Sequence, residues 1–175
     1  MLTKEELDTL SREQLVALLL DDSKNVIAMD GVWFQAIEKE QGMDSAMHFD
    51  EEAWKVYTKA EARRIKKFLG LEERCGLNGL AKALQYRMVD RPNPSETVIN
   101  GNKLIYKIKV CRVQEARTRK GMPLHPCKSA AIYEYTGFAE TIDSRIKCRC
   151  LSCFPDVTDT SCSCSWEFWI DENTI

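Results

Sequence analysis

The sequence lacks three features that would each indicate a broad functional class. No apolar run approaches the roughly 18–20 residues of a membrane-spanning helix, because the longest one, Leu15 to Leu20, ends at Asp21 and Asp22. The first eight residues, MLTKEELD, are acidic and polar, unlike a secretory signal. No basic, aromatic-interleaved stripe is present, although residues 61–175 carry a net charge of +5 against −7 for residues 1–60. We therefore expect a cytoplasmic protein that binds neither membrane nor nucleic acid.

Cysteine is the residue type that the sequence has in excess. Five of the eight cysteines lie between Cys148 and Cys164. Disulfides are rare in the cytoplasm, so clustered cysteines there are metal ligands, redox groups or buried thiols. This cluster is the main indication of chemistry in the chain.

Residues 3–88 have the apolar periodicity of helices. Two capping boxes, TKEE at 3–6 and SREQ at 11–14, predict helix starts, and Gly42 and Gly70 predict helix ends. Asp44 or Asp50 is expected to cap the helix between these glycines. A buried apolar stripe is expected in the helix after Ser11, formed by Leu15, Val16, Leu18 and Leu19.

The periodicity changes after the RPNPS segment at 91–95. Alternating residues predict strands at 104–110, 144–151 and 162–170, and a helix is expected over 128–141. We predict one α+β domain over 1–175, with a helical portion at 1–90 and an α+β portion at 96–175. In it, an N-terminal helical layer packs on a small antiparallel sheet of three or more strands with one intervening helix.

Two acids interrupt the apolar faces of the predicted helices. Asp30 lies near Trp33, and Glu61 follows Trp54 on the next helix. A buried carboxylate needs an ion pair or hydrogen bonds. Each acid is therefore either a structural ion-pair partner or a pocket group, and Asp30, Trp33, Trp54 and Glu61 are the candidate ligand-binding residues.

Cys127 follows His125 and Pro126 at the expected start of a helix. The helix dipole and free N–H groups of a first turn lower a thiol pKa, which suits a nucleophile or a metal-binding thiolate. A small buried residue beneath the helix is the alternative interpretation.

Alternation places Cys148 and Cys150 on one face of their strand, and Cys162 and Cys164 on one face of the next. A hairpin of these strands would bring all four to one buried face, with Cys153 at the start of the connecting loop. Three interpretations stay open: a metal site, reversible oxidation and simple packing of thiols. The Cys150-x-x-Cys153 spacing suits zinc, but Phe-Pro follows where zinc knuckles carry glycine.

Several segments resemble an uncharacterised family of small prokaryotic cytosolic proteins over residues 25–170. They are DGVWFQAIEK at 30–39, EAW at 52–54, ARRI at 62–65, PC at 126–127, CLSCFPD at 150–156 and CSWEF at 164–168. The chain is also distantly similar to L-2-amino-thiazoline-4-carboxylate hydrolase-like proteins and to vinyl-4-reductase-type domains. The resemblance implies an α+β fold with a pocket that binds a small hydrophobic ligand or a metal. Cys148 and Cys162 depart from the reductase-type pattern.

We therefore expect a small-molecule-binding or metal-binding protein with a thiolate-rich zinc site. The expected ligands, which also recur in the resemblance, are Cys127, Cys150, Cys153 and Cys164, with Cys148, Cys162 and His125 as substitutes.

Whether the protein is an enzyme stays open. A hydrolase of small cyclic amide or thiazoline-type substrates would use Cys127 with His125, or a zinc-bound water, with Asp30 or Glu61 as base. An interaction module or homo-oligomer with structural cysteines is the third class, and an exposed aromatic patch near Trp169 would mark it.

Overall fold

The computed structural model describes residues 3–171, which form six helices and one four-stranded antiparallel sheet. The helices are α1 Lys4–Asp8, α2 Arg12–Gln41, α3 Met43–Leu69, α4 Gly76–Leu84, α5 Arg112–Arg119 and α6 Lys128–Ile142. The strands are β1 Ser95–Asn100, β2 Lys103–Ile108, β3 Ile146–Cys153 and β4 Cys164–Ile170. The predicted α+β class is confirmed.

The helix boundaries follow from local chemistry. Thr3 and Ser11 both form the capping boxes that the sequence predicts. Gly42, with φ of 86°, separates α2 from α3, and Gly70, in the left-handed region, ends α3. The predicted aspartate cap of α3 is wrong, because α3 starts directly after Gly42 without a side-chain cap.

The first half of α2 is more exposed than its sequence predicts. Leu15, Val16, Leu18 and Leu19 retain 41–49% of their surface, so the expected buried stripe is wrong. No α2 residue before Ser23 is buried in the described chain, because the core of the helical layer begins further along α2, at Phe34. Among the described residues, no helix combines the length and apolarity needed to cross a bilayer.

The sheet has the strand order β1-β2-β4-β3. A tight turn joins β1 to β2, and Gly101 adopts the positive φ of 60° that this turn requires. The predicted pairing of the last two strands is present, since β3 pairs antiparallel with β4. Helix α5 was not expected, because residues 112–119 are mostly polar and lack a clear apolar period.

The core lies between one face of the sheet and α6, with α3 packed on the other side of α6. Tyr135 of α6 stacks on Trp166 of β4 with ring centroids 4.5 Å apart. Thr58 of α3 is fully buried and donates a hydrogen bond to the Glu134 carbonyl at 2.7 Å. The helical layer and the sheet therefore share α6, which carries groups for the candidate site at its start and on its α3-facing side.

Helices α3 and α6 approach closely at Gly137. A Cβ atom at this position would lie 2.8 Å from Thr58 Cγ2, whereas a Cβ at Gly31 of α2 would meet only Gln35 Nε2 at 3.8 Å. We expect Gly137→Ala to lower the free energy of unfolding by about 1–3 kcal/mol, because the crowded crossing must open. Gly31→Ala should raise it by up to about 1 kcal/mol through helix propensity alone. Urea unfolding of both variants checks this, and equal shifts would contradict the close crossing.

Candidate functional site

A β-bulge gathers the cysteines of the β3–β4 hairpin. Cys150 pairs with Trp166, the register then shifts, and Cys153 pairs with Cys164. Two residues three apart normally point to opposite faces of a strand, but the extra residue returns Cys153 to the Cys150 face. Cys150, Cys153 and Cys164 therefore share the face that packs on α6. Cys153 lies within β3, not in the connecting loop as predicted.

Cys127 meets this group from the start of α6. The backbone N–H of Lys128 donates to the Phe154 carbonyl at 3.1 Å, which ties the helix start to the residue after Cys153. The sulfur atoms of Cys127 and Cys153 lie 3.5 Å apart. Gln114 of α5 also donates to the Cys127 sulfur at 3.7 Å and exchanges two hydrogen bonds with the His125 backbone.

Cys153 is the shared neighbour of the other three thiols, and the four are called the thiol cluster below: Cys127, Cys150, Cys153 and Cys164. Among these contacts the Cys127–Cys153 pair has full hydrogen-bond geometry. The three neighbours, Cys127 first, raise the pKa of Cys153. Cys153 in turn lowers the pKa of Cys127 to about 7 and lowers the pKa of Cys150. The cluster thus keeps a proton on Cys153 and favours thiolates at Cys127 and Cys150.

The predicted metal ligands are the thiols that the fold brings together, whereas the substitutes lie apart. Burial raises the pKa of Cys148, which faces Phe168 on the sheet, to about 12. Cys162 precedes β4 and contacts Asp159. No group of three or more His, Cys, Asp or Glu side chains within residues 3–171 surrounds a point that could hold a metal ion. Cys153 is the shared neighbour of the other three thiols, so it occupies the place between them.

A pocket of about 400 Å³ opens beside the thiol cluster. Its wall includes Cys127, Cys153 and Cys164, together with residues of α2, α3, α5 and α6. Of the predicted ligand-binding residues, Asp30 and Trp54 line it. Trp33 is 69% exposed and does not contribute to the described wall, and neither does Glu61.

Glu61 instead belongs to a buried ion-pair group centred on Arg87. Arg87 has no exposed surface, and its Nε donates to Glu61 at 3.1 Å while its Nη2 donates to Glu134 at 2.6 Å. Asp90 lies 3.7 Å from its Nη1. Burial raises the pKa of Glu134 to about 8 and that of Asp90 to about 6. Glu61 therefore has the ion-pair partner that its structural interpretation requires. Asp90 and Glu134 of the same group line the pocket.

A second polar group on the pocket wall joins His125, Asp50 and Asp30. His125 Nε2 lies 3.4 Å from Asp50 Oδ2, but neither atom has a hydrogen-bond partner among the described residues. The His125 ring packs edge-on against Phe34 at 4.4 Å. Asp30 keeps solvent exposure, and the surrounding protein and the Asp50 carboxylate raise its pKa to about 6.

Sequence reasoning missed Asp50, Asp90, Glu134 and Arg87 as site residues. Asp50 was considered only as a helix cap, and the other three lie at spacings that match no motif. What marks these four residues as site residues is the burial of their charged groups, and that burial depends on tertiary contacts that the sequence does not show. Glu134 is a charged residue among the apolar residues of α6, and this was the sequence signal that it could be buried.

These features define an α+β protein with a thiol-bearing, acid-lined pocket between its helical layer and its sheet. The chain belongs to the Family of unknown function (DUF6125), whose model matches residues 8–170. No curated protein and no solved structure matches it. The predicted membership of an uncharacterised family is confirmed. Prokaryotic origin and the likeness to thiazoline hydrolases and vinyl-4-reductase-type domains stay predictions.

The depressed pKa of Cys127 predicts selective alkylation. In chelator-treated protein, iodoacetamide should modify Cys127 with a half-maximal rate near pH 7, because the thiolate is the reacting form. Cys75, whose pKa burial raises, should react more slowly at pH 7.5. Peptide mapping by mass spectrometry measures both rates. Faster reaction of Cys75 than of Cys127 would contradict the arrangement, whereas fast reaction of Cys150, whose pKa is also lowered, would not.

The raised pKa of Glu134 predicts a pH-dependent stability. The folded protein keeps a proton on Glu134 that the unfolded chain releases near pH 4.5, so the free energy of unfolding should fall as pH rises towards 8. Between pH 6 and 8 this contribution is up to about 1.4 kcal/mol per pH unit. Glu134→Gln should remove it, whereas Glu140→Gln, exposed on the same helix, should not. Identical pH slopes in urea unfolding of all three proteins would show that Glu134 ionises normally.

Proposed function

We propose that this protein binds a small molecule in its pocket beside a soft metal ion, zinc in the first instance, held by the thiol cluster. The observation that carries the proposal is the position of Cys153 on the pocket wall, where its thiol lies 3.5 Å from that of Cys127 and its pKa is raised by Cys127, Cys150 and Cys164. Thiolates are the preferred protein ligands of zinc and other soft metals.

The donor set matches zinc in number, and the Cys127–Cys153 distance supports the proposal although the four thiols do not yet surround a common point. Zinc–sulfur bonds of about 2.3 Å in a tetrahedron separate the sulfurs by about 3.8 Å. The Cys127–Cys153 distance of 3.5 Å is close to this value. Binding would require Cys153 to lose its proton and the four sulfurs to separate slightly around the ion. A cytoplasmic location belongs to the proposal, because thiols stay reduced there.

Metal analysis tests the proposal. Protein purified anaerobically without chelator should contain one equivalent of zinc, measured by inductively coupled plasma mass spectrometry. Cys153→Ser should lose it, whereas Cys75→Ser should keep it, because Cys75 lies under α4 and contacts the Ile142 carbonyl. Zinc should also raise the free energy of unfolding, by about 4 kcal/mol at a thousandfold excess over its dissociation constant.

Cys153 is almost fully buried, so its variant can fail to fold. Cys150→Ser, at a half-buried position, then decides the question. A wild-type protein that neither carries zinc nor takes it up in dialysis would refute the metal site. Equal zinc contents in wild type and both cluster variants would refute this choice of ligands.

A cysteine-dependent hydrolase of small cyclic amide or thiazoline-type substrates is the second candidate. The pKa of Cys127 near 7 favours it, since a pocket-lining thiolate at a helix start is a suitable nucleophile. His125 Nε2 lies 3.4 Å from Asp50 Oδ2, so a carboxylate is next to the imidazole in the same wall without a hydrogen bond between them. Hydrolysis of such a substrate by metal-free protein, lost in Cys127→Ser and kept in Cys150→Ser, would favour this candidate over the metal site.

A further inference from the structure

The pocket wall carries an excess of carboxyl side chains over available basic ones. Four carboxylates line it and are called the pocket acids below: Asp30, Asp50, Asp90 and Glu134. They come from α2, α3, the segment after α4, and α6 respectively. Acids from four separate elements converge on one cavity, so no single helix or loop explains their grouping.

Two of the pocket acids are buried without hydrogen bonds. The Asp50 side chain is 7% exposed, and its Oδ2 has no hydrogen-bond partner among the described residues. The Asp90 side chain is 3% exposed, and neither of its oxygens accepts a hydrogen bond of full geometry within residues 3–171, although the Tyr106 hydroxyl and Arg87 Nη1 lie nearby. A buried carboxylate without hydrogen bonds carries a large desolvation cost, which a bound donor would relieve.

The neighbouring arginines and lysines do not neutralise these acids, and His125, 3.4 Å from Asp50, carries a charge only when it is protonated. Arg87 is a single positive charge among Glu61, Asp90 and Glu134. The guanidinium of Arg117, also on the pocket wall, is occupied by a two-pronged pair with Glu38 at 2.7 and 2.8 Å. The remaining basic lining residues are exposed to solvent and therefore screened: Lys24, Arg112, Arg119 and Lys120.

The same wall has three aromatic side chains, Phe34, Trp54 and Tyr135. Tyr135 is stacked on Trp166 and Arg117 lies over the Phe34 ring, so the half-buried Trp54 provides the aromatic surface for a ligand. Aromatic faces attract cations and also pack against an apolar body, so they complement the carboxylates. Cavities of about this volume bind small organic molecules.

We propose that the pocket acids bind the ammonium group of a small protonated amine whose apolar body packs against the aromatic wall. The proposal names the ligand class of the small-molecule part of the proposed function and rests on that part alone. It does not require zinc on the thiol cluster.

Benzylamine, a cation near neutral pH, is the probe, and benzyl alcohol is its neutral counterpart of the same shape. Isothermal titration calorimetry at pH 8 should detect benzylamine binding and at least about tenfold weaker binding of benzyl alcohol. Asp50→Asn should weaken benzylamine binding by about tenfold or more, because the charge is lost and the shape is kept. Glu52→Gln is the matched control, since Glu52 lies on the same helix, is exposed and pairs with Lys55. It should bind like the wild type.

Asp30→Asn serves if Asp50→Asn fails to fold, because Asp30 is exposed and its replacement leaves the core intact. Binding should also weaken from pH 8 to pH 5, as Glu134, Asp90 and Asp30 take up protons. Equal affinity for both probes, no benzylamine binding at millimolar concentration, or unchanged binding in the folded aspartate variants would overturn the proposal.

Cys150→Ser separates this result from the metal proposal. Amine binding that persists in this variant after zinc is lost supports the acid site and the zinc site as independent features. Zinc binding without amine binding refutes the acid site alone. Amine binding in a wild type that takes up no zinc refutes the metal site alone.

Discussion

The buried guanidinium of Arg87 is the interaction on which the rest of the molecule depends. It pairs with Glu61 of α3 and Glu134 of α6, the two helices that pack most extensively on each other. The same guanidinium lies over the rings of Tyr135 and Phe138, at 5.2 and 4.8 Å from their centroids. Because Tyr135 also stacks on Trp166, one cation links the helical layer to the sheet. Isolated burial of such a charge would be prohibitive, and the surrounding carboxylates make it tolerable.

The surplus of acids around Arg87 has a consequence for the pocket. Burial raises the pKa values of Glu134 and Asp90, and repulsion among three carboxylates around one guanidinium adds to this rise. A structural ion pair would need one carboxylate and its hydrogen bonds. The additional two face a cavity, which is where perturbed acids concentrate in binding and catalytic sites.

The fold and the thiol cluster were largely predictable, for a shared physical reason. Periods of 3.6 and 2, capping boxes and glycine stops are local signals, and they predict the helix ends at Gly42 and Gly70 and the pairing of β3 with β4. Helical and strand periodicity does not reveal a bulge, however, so the return of Cys153 to the Cys150 face required the register. The solvent exposure of Leu15 could not be predicted either, since an apolar period identifies a helix face and not what packs against that face. Arg87 lies within the predicted helical region, but α4 ends at Leu84, so the burial of Arg87 and of Asp90 after it is revealed only by tertiary contacts.

The thiols and the carboxylates on one pocket wall act electrostatically in the same direction. Zinc held by four thiolates keeps a formal double negative charge, because each ligand contributes one charge and the ion offsets two. A zinc-loaded cluster would therefore stay as negative as a metal-free cluster with thiolates at Cys127 and Cys150, and would not oppose an ammonium ion in the cavity. Any effect of one site on the other is reciprocal: a bound amine changes zinc affinity by the factor by which zinc changes amine affinity. The sheet face that carries Cys153 and Cys164 and the helix α6 that carries Glu134 place both sites on one pocket wall, so charge at either is felt at the other.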